Sequence, residues 1–426
     1  MPGTAISVKK LKGSNACGIY SIFRPLSVRH MRRPAAIALF KWSRFLKIAY
    51  LVHDLSDPAV HRRVRMLKAG SAQVKVAGFT RVVAPPKHIE GCEAINLGLT
   101  KDGQLLERIG SVAMAALRLE RVKEMLGGCQ LVLARNLEML FLASAARRRY
   151  AADASLVFEC LDIHRLLLRE TYLGRLLRRT ESGLVRGADL IMTSSPRFIS
   201  EYFKPRNLAA PIKIIENKVL LPDYGSSRPE RGGRLKGKPW KIGWFGMIRC
   251  RRSFDILSSV ARRCGGELQI VIAGRPSAKE FPDFEELVAR SPHVTFTGSY
   301  RFDELPALYD SVHFCWAVDY FEKGLNSSWL LPNRIYESSF FGAVPIAVEG
   351  VETARWLAEK HIGLALSREP EAALEAIIMA MTDGYYQELS DALKRIPTTD
   401  LADTVESCRQ LIGDLAELNA SRERRQ

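Results

Sequence analysis

Three groups of residues in this sequence combine side-chain types at spacings suited to binding or catalysis. The first is Leu331–Glu349, LPNRIYESSFFGAVPIAVE. Pro332 suits the first turn of a helix, where its missing N–H is no loss. Such a helix turns free N–H groups and the positive end of its dipole toward whatever lies before it, a fit for a diphosphate. Asn333 and Arg334 add donors at that end, and a guanidinium fork matches phosphate oxygens. Glu337 lies about one turn later, where its carboxylate can accept hydrogen bonds from the vicinal hydroxyls of a ribose. Gly342 is placed to end the helix before the strand VPIAVE. By spacing alone, an amphipathic helix with a surface Glu and Arg reads the same way.

The second group is GWFGMIRCRRSFDIL, residues 243–257. Gly246, after an apolar strand, lets backbone approach a ligand closely, and Arg249, Arg251 and Arg252 crowd the adjoining loop. A strand–glycine–loop–helix unit of this kind can cradle phosphates with backbone N–H groups. It is neither G-x-G-x-x-G nor a P-loop, and a solvated basic loop has the same pattern. The third group lies at the expected ends of strands nearer the N-terminus: His53 and Asp54, Arg135 and Asn136, then Glu159, Asp162 and His164. Titratable groups at strand carboxyl ends are candidates for acid–base work, although a lone His is more often structural. The chain has no G-x-S-x-G, H-E-x-x-H or G-x-x-x-x-G-K-[ST] motif, and no paired His/Cys spacing that calls for zinc. HDLSD (53–57) and DYFE (319–322) make poor metal sites, so no metal ion is expected.

The scaffold for these residues can be read from the apolar runs. KIAYLVH (47–53), VKVAGF (74–79), CQLVLAR (129–135), SLVFECLD (155–162), ADLIMTSS (188–195) and IKIIEN (212–217) read as strands. Helices are expected between them, at 58–69, about 104–126, through Leu140, and about 164–187. Near-continuous apolar strands separated by helices mean parallel sheets covered on both faces. Residues 222–240, PDYGSSRPERGGRLKGKPW, break the pattern and read as a linker. The alternation then restarts with KIGWFGMI (241–248), ELQIVIAG (267–274), VTFTGS (294–299), SVHFCWAV (311–318) and VPIAVE (344–349), and a mostly helical stretch closes the chain. The expected organisation is an extension over 1–46, a Rossmann-like domain over 47–221, the linker, a second Rossmann-like domain over 241–400, and a C-terminal helix and tail over 401–426. That last helix is a candidate for packing back on the first domain. Two α/β halves of this kind face each other across a cleft at their sheet edges, where open parallel sheets bind ligands.

The composition bounds the function. The 426 residues carry 63 Lys and Arg against 46 Asp and Glu, a net charge of +17. Nine of those basic residues fall within 1–46, which has no acid. The excess suits phosphate-bearing partners or an anionic membrane surface. A nucleic-acid binder is disfavoured, because much of the charge sits in the extension and no recognition-helix module or aromatic stacking pattern is present. The eight cysteines are scattered without a C-x-x-C pair, which suits a reducing cytoplasm. No apolar run is long enough to span a bilayer.

The two-half plan, HDLSDPAVHRRVRMLKAG (53–70), the strand–glycine–arginine loop around Arg252 and PNRIYESSFFGAVPIA (332–347) together resemble GT-B glycosyltransferases of the family 4 type. Within that group, the stretch from Val52 to Gly70 resembles the glucosyltransferases that assemble the succinoglycan exopolysaccharide repeat in rhizobia. The resemblance implies an α/β, GT-B fold and transfer of a hexose, glucose first, from a UDP-sugar to an undecaprenyl-diphosphate-linked oligosaccharide. It implies a cytoplasmic enzyme held peripherally at the inner membrane, with the UDP-sugar as substrate and no separate cofactor. By the same resemblance Arg252, with Arg249 beside it, grips the diphosphate and Glu337 holds the ribose. The family's paired glutamate would fall at Trp329, and its strand-end histidine at Leu161, next to Asp162 and His164 as acceptor-side base or orienter; His53, Asp54, Arg135 and Asn136 are expected on the acceptor side as well. A nucleotide-sugar epimerase or a phosphorylase would use the same fold.

Overall fold

The computed structural model describes residues 45–423 apart from 83, 101–104, 209, 226, 230–234 and 236. The extension expected over 1–46 therefore lies outside the described residues except for its last two positions.

The apolar runs become strands whose two faces are both covered, so hardly any position is left for a solvated side chain. The strands of the first sheet are β1 (Lys47–Val52), β2 (Gln73–Thr80), β3 (His88–Ile89), β4 (Cys92–Leu99), β5 (Leu131–Arg135), β6 (Ser155–Cys160), β7 (Leu190–Thr193) and β8 (Ile212–Ile214). Their spatial order is β3-β4-β2-β1-β5-β6-β7-β8. Ile48 pairs in parallel with Val74 on one side and Leu131 on the other. The β3–β4 hairpin is the antiparallel edge. Next comes β9 (Val219–Leu220), one half of a two-strand ribbon whose partner strand lies much later in the chain. The second sheet holds β10 (Trp240–Ile248), β11 (Leu268–Pro276), β12 (Val294–Phe296), β13 (Phe314–Trp316), β14 (Val344–Val348) and β15 (Leu364–Leu366). All its strands are parallel, in the order β12-β11-β10-β13-β14-β15. Finally β16 (Ala402–Asp403) pairs in parallel with β9.

Both large sheets start in the middle and reverse direction, the doubly wound pattern. Its crevices open between β1 and β5 and between β10 and β13, beyond the strands' carboxyl ends. Seven helices bear on the site: α1 (Pro58–Ala69), α2 (Leu105–Leu117), α3 (Leu137–Tyr150), α4 (Tyr172–Val185), α5 (Arg251–Arg263), α6 (Asn333–Phe341) and α7 (Val405–Glu423). The chain crosses between lobes twice, at β9 and β16, and α7 then docks on the first lobe. Cys408, Leu411, Ile412 and Leu415 of α7 share a core with β1 and α1. Gly70 makes room for this, since a Cβ there would collide with the Cys408 carbonyl.

The structure departs from the sequence expectations at edges and boundaries. The β3–β4 hairpin was not expected, because CEAINLGL mixes Glu, Asn and Gly into an edge strand that needs no continuous apolar run. The helix expected over 104–126 breaks after Leu117 into a 3₁₀ turn and a short helix. The helix expected from 164 starts only at Tyr172, where the Thr171 hydroxyl accepts from the Gly174 N–H at 3.1 Å and caps it.

Candidate active site

At the carboxyl edge of the second sheet, Gly246 and Gly274 lie side by side with φ of 109° and 134°. A Cβ on Gly274 would collide with the Gly246 carbonyl, so glycine is required there. The strand opens into the arginine loop. The Arg249 guanidinium is 3.2 Å from the Asp319 carboxylate and lies 4.7 Å over the Phe321 ring. Arg252 is exposed, stacks 4.5 Å over the Tyr320 ring, and has no carboxylate partner among the described residues. Arg251 instead pairs with Asp283 at 2.9 Å. Cys250 offers α5 no side-chain cap, which leaves the helix's first N–H groups available.

Beside this loop starts α6. Pro332 sits at its cap position (φ −71°, ψ 146°) rather than inside the first turn, and Gly342 ends it in the left-handed region at φ 90°. Asn333 is exposed. The Arg334 guanidinium donates to the Trp316 carbonyl at 3.0 Å, tying the helix start to the end of β13. The half-buried Glu337 accepts from the Tyr309 hydroxyl at 2.8 Å. Burial pushes the Glu337 carboxyl above its ordinary range, against the pull of that hydrogen bond and of the Arg334 and Arg62 charges. The Glu337 charge in turn helps burial to raise the hydroxyls of Tyr224 and Tyr300.

The first lobe's edge is more constrained than its sequence suggested. Glu159 is fully buried. It accepts from Arg63 at 2.6 Å, from Arg135 at 3.2 Å and from the Tyr50 hydroxyl at 2.5 Å. Burial would raise its carboxyl, but the two arginine charges and the tyrosine hold it below the usual range. Arg135, expected on the acceptor side, is 5 % exposed and sealed in this cluster. A buried carboxylate leaves its neighbouring arginine no choice but to neutralise it. Asp54 is also buried; its carboxylate accepts from the Ser56 N–H at 3.0 Å and hydroxyl at 2.7 Å, and so builds the turn after β1. His53 lies 3.7 Å from Asp57, and burial lowers its pKa to about 4, so the imidazole is neutral near pH 7. Asn136 precedes α3 with φ 72° and ψ 166°, a conformation costly for any residue but glycine, and its side chain does not cap the helix.

Asp162 and His164 do open on the cleft; both are exposed. The walls around Asp162 and the charges of Glu322 and Asp319 push its carboxyl up, while Arg249 pulls it down. First-lobe and second-lobe groups therefore act on one another here. The bridge is Asn326, which is buried. Its amide oxygen accepts from the Ile163 N–H at 3.2 Å, and its amide nitrogen donates to the Ile163 carbonyl at 2.5 Å and to Glu322 at 2.7 Å. Trp329, at the position of the family's first glutamate, also crosses between lobes. Its carbonyl accepts from the Ser195 hydroxyl at 2.5 Å and its ring meets Phe198 edge-on at 6.5 Å.

Sequence reasoning set Asp319 and Glu322 aside as a poor metal site and missed Asn326. The usable signal was their position, directly after β13 at the second switch point. Tyr300 and Tyr309 carried no signal at all. Among the described residues, no group of three or more His, Cys, Asp or Glu side chains is arranged to hold a metal ion. Chemically, one side of the edge presents cations and helix starts suited to a departing diphosphate, and the other presents carboxylates suited to hydroxyls.

These features, two doubly wound parallel-sheet lobes with a basic edge on the second, define the fold as GT-B. Solved structures of that architecture superpose along nearly their whole length. HepE of Anabaena in complex with UDP and glucose has a TM-score of 0.63 at 17% identity, covering 87% of this chain and 99% of that one. Sucrose-phosphate synthase of Thermosynechococcus elongatus has 0.66 at 14%, covering 87% and 98%. WaaG, a glycosyltransferase involved in lipopolysaccharide biosynthesis, has 0.55 at 14%, covering 86% and 99%. No protein-family model matches the chain. The succinoglycan biosynthesis protein ExoL of Rhizobium meliloti (strain 1021) is 44% identical over 379 residues, which cover 88% of this chain and 94% of that protein. The chain belongs to the ExoL family of exopolysaccharide biosynthesis proteins.

Proposed function

We propose that this glycosyltransferase moves a hexose, glucose first, from a UDP-sugar to a lipid-diphosphate-linked oligosaccharide of the undecaprenyl type, during assembly of a succinoglycan-like exopolysaccharide. The carrying observation is that the Gly246–Arg252 loop and the start of α6, with Glu337 behind it, meet at one sheet edge. Arg252 and Arg249 take the diphosphate with the helix starts, and Glu337 takes the ribose hydroxyls. Asp162, with His164, faces the acceptor hydroxyl across the cleft. The bound UDP and glucose of HepE and the biosynthetic role of ExoL support this reading. The UDP-sugar is the donor substrate, and no further cofactor enters the scheme. Since no helix among the described residues is long and apolar enough to cross a membrane, the reading places the protein peripherally on the cytoplasmic face, against anionic lipid.

The test is transfer of label from radiolabelled UDP-glucose, UDP-galactose or UDP-N-acetylglucosamine into the lipid fraction by the purified chain with membranes carrying lipid-linked intermediates. Acceptor-dependent labelling from UDP-glucose is expected. Conversion of the UDP-sugar without acceptor would make the protein an epimerase instead, and dependence on orthophosphate a phosphorylase.

A further inference from the structure

We infer that the outward face of α4, with the loop leading into it, is the surface by which this protein docks on an anionic bilayer. For its purpose the inference rests on the lipid-borne acceptor proposed above; its geometry is independent of that reading.

α4 is apolar on two sides. Its inward face packs Leu177, Leu184 and Val185 on the first-lobe core and buries Gly174 and Glu181. Glu181 is satisfied there by the Tyr202 hydroxyl at 2.6 Å and by Arg206. The outward face carries Tyr172, Leu173 and Leu176, exposed by 77%, 41% and 48%. Large apolar side chains gathered on the solvent side of a helix mark an interaction surface. Arg165, Arg169, Arg175 and Arg179 surround them, all exposed and none with a carboxylate partner among the described residues. Glu170, the only acid between 165 and 180, is taken by Arg178 at 3.0 Å.

The chemistry selects the occupant. Apolar and tyrosine side chains ringed by uncompensated arginines match the headgroup boundary of an anionic membrane, where rings and methyls enter and guanidinium groups stay at the phosphates. A second copy of the chain presenting this face would bring four unpaired arginines against four more. The location is apt, since the patch begins one residue after His164, on the loop whose backbone Asn326 fixes beside Asp162. A bilayer bound there brings its headgroups next to the acceptor side of the cleft. The adjacent helix α3 exposes Phe141, and α2, which packs on α3, exposes Leu117, both in the same lobe.

The experiment is flotation of the full chain with phosphatidylcholine vesicles, with and without phosphatidylglycerol, at low and high salt. Wild type, Leu173→Glu/Leu176→Glu and Arg169→Gln/Arg175→Gln/Arg179→Gln are compared, with thermal unfolding and UDP calorimetry as controls for folding. Wild type is expected to float only with the anionic vesicles, and less at high salt. Each multiple variant should lose about tenfold or more in partitioning, with unchanged UDP affinity. Variants that float like wild type would overturn the assignment, because another surface or the basic N-terminal residues would then carry the contact. Failure of wild type to float would overturn it as well. Transfer to a water-soluble acceptor is measured alongside: its absence in wild type would reject the proposed reaction while flotation still decides the surface.

Discussion

Replacing Glu337 and Arg252 in turn, and measuring UDP and uridine side by side, separates the two halves of the donor site. Glu337 keeps one carboxylate oxygen engaged with Tyr309 at 2.8 Å, so the other is the one chiefly available to a ribose. A hydrogen bond to a charged group contributes about 1.5–3 kcal/mol, so Glu337→Ala should weaken uridine and UDP equally, by roughly 10- to 150-fold. Among the described residues Arg252 has the Tyr320 ring as partner and no carboxylate, which leaves its charge available to an anion. Arg252→Ala should therefore weaken UDP by a comparable factor, leave uridine within about twofold, and lose its effect as salt screens the cleft. The raised pKa of Glu337 adds a pH signature. As pH falls through it, the carboxyl gains a proton and loses an acceptor, so uridine binding should weaken in acid for wild type but stay flat for Glu337→Gln. Isothermal titration calorimetry of wild type, Glu337→Ala and Arg252→Ala, each with UDP and with uridine, is the assay. Equal loss of uridine and UDP in Arg252→Ala would refute the diphosphate role, and a Glu337→Ala protein that binds both like wild type would remove the ribose role.

Three further outcomes are expected from the geometry. Asn326→Ala frees the Ile163 backbone and Glu322 together; kcat should fall by about tenfold or more while the UDP dissociation constant stays unchanged, and a parallel loss of UDP affinity would mean the residue only supports the fold. Glu159→Ala strands Arg63 and Arg135 as buried charges and should destabilise by about 3–5 kcal/mol in urea unfolding; a loss below about 1 kcal/mol would contradict the buried cluster. His53 titrates at about 4 when folded against 6.5 ordinarily, so folding expels its proton. The stability this group gives is complete above about pH 6.5 and is lost as pH falls toward 4, by up to about 3 kcal/mol, so His53→Gln should flatten the acid limb of an unfolding titration.

The fold was legible because buried parallel strands leave a direct trace. KIAYLVH, CQLVLAR and KIGWFGMI are apolar at nearly every position since helices cover both sides; the structure places β1 and β5 within the first two and β10 on the third, starting one residue earlier at Trp240. The β3–β4 hairpin left no such trace, because an edge strand tolerates Glu93 and Asn96. In the site, position along the strands was legible but exposure was not. Arg135 and Asp162 both come at the ends of apolar strands, yet one is sealed against Glu159 while the other opens on the cleft. That difference depends on Tyr50 and Arg63, which come from other elements and cannot be aligned with Arg135 by any local spacing.

The stretch HRRVRM in α1 shows how the same limit hides a conformational role. Read locally, its arginines are no more than a basic helix face. In three dimensions each is committed elsewhere. Arg62 donates to Asp403 at 2.8 Å and to the Lys218 carbonyl, gripping the β9–β16 ribbon through which the chain passes between lobes. Arg65 pairs with Asp223 at 3.1 Å and lies 4.8 Å over the ring of Phe302. Arg62 also lowers the pKa of Glu337, although the two residues belong to different lobes. Any motion that separates the lobes must therefore loosen the ribbon contacts of Arg62 or draw its charge away from Glu337.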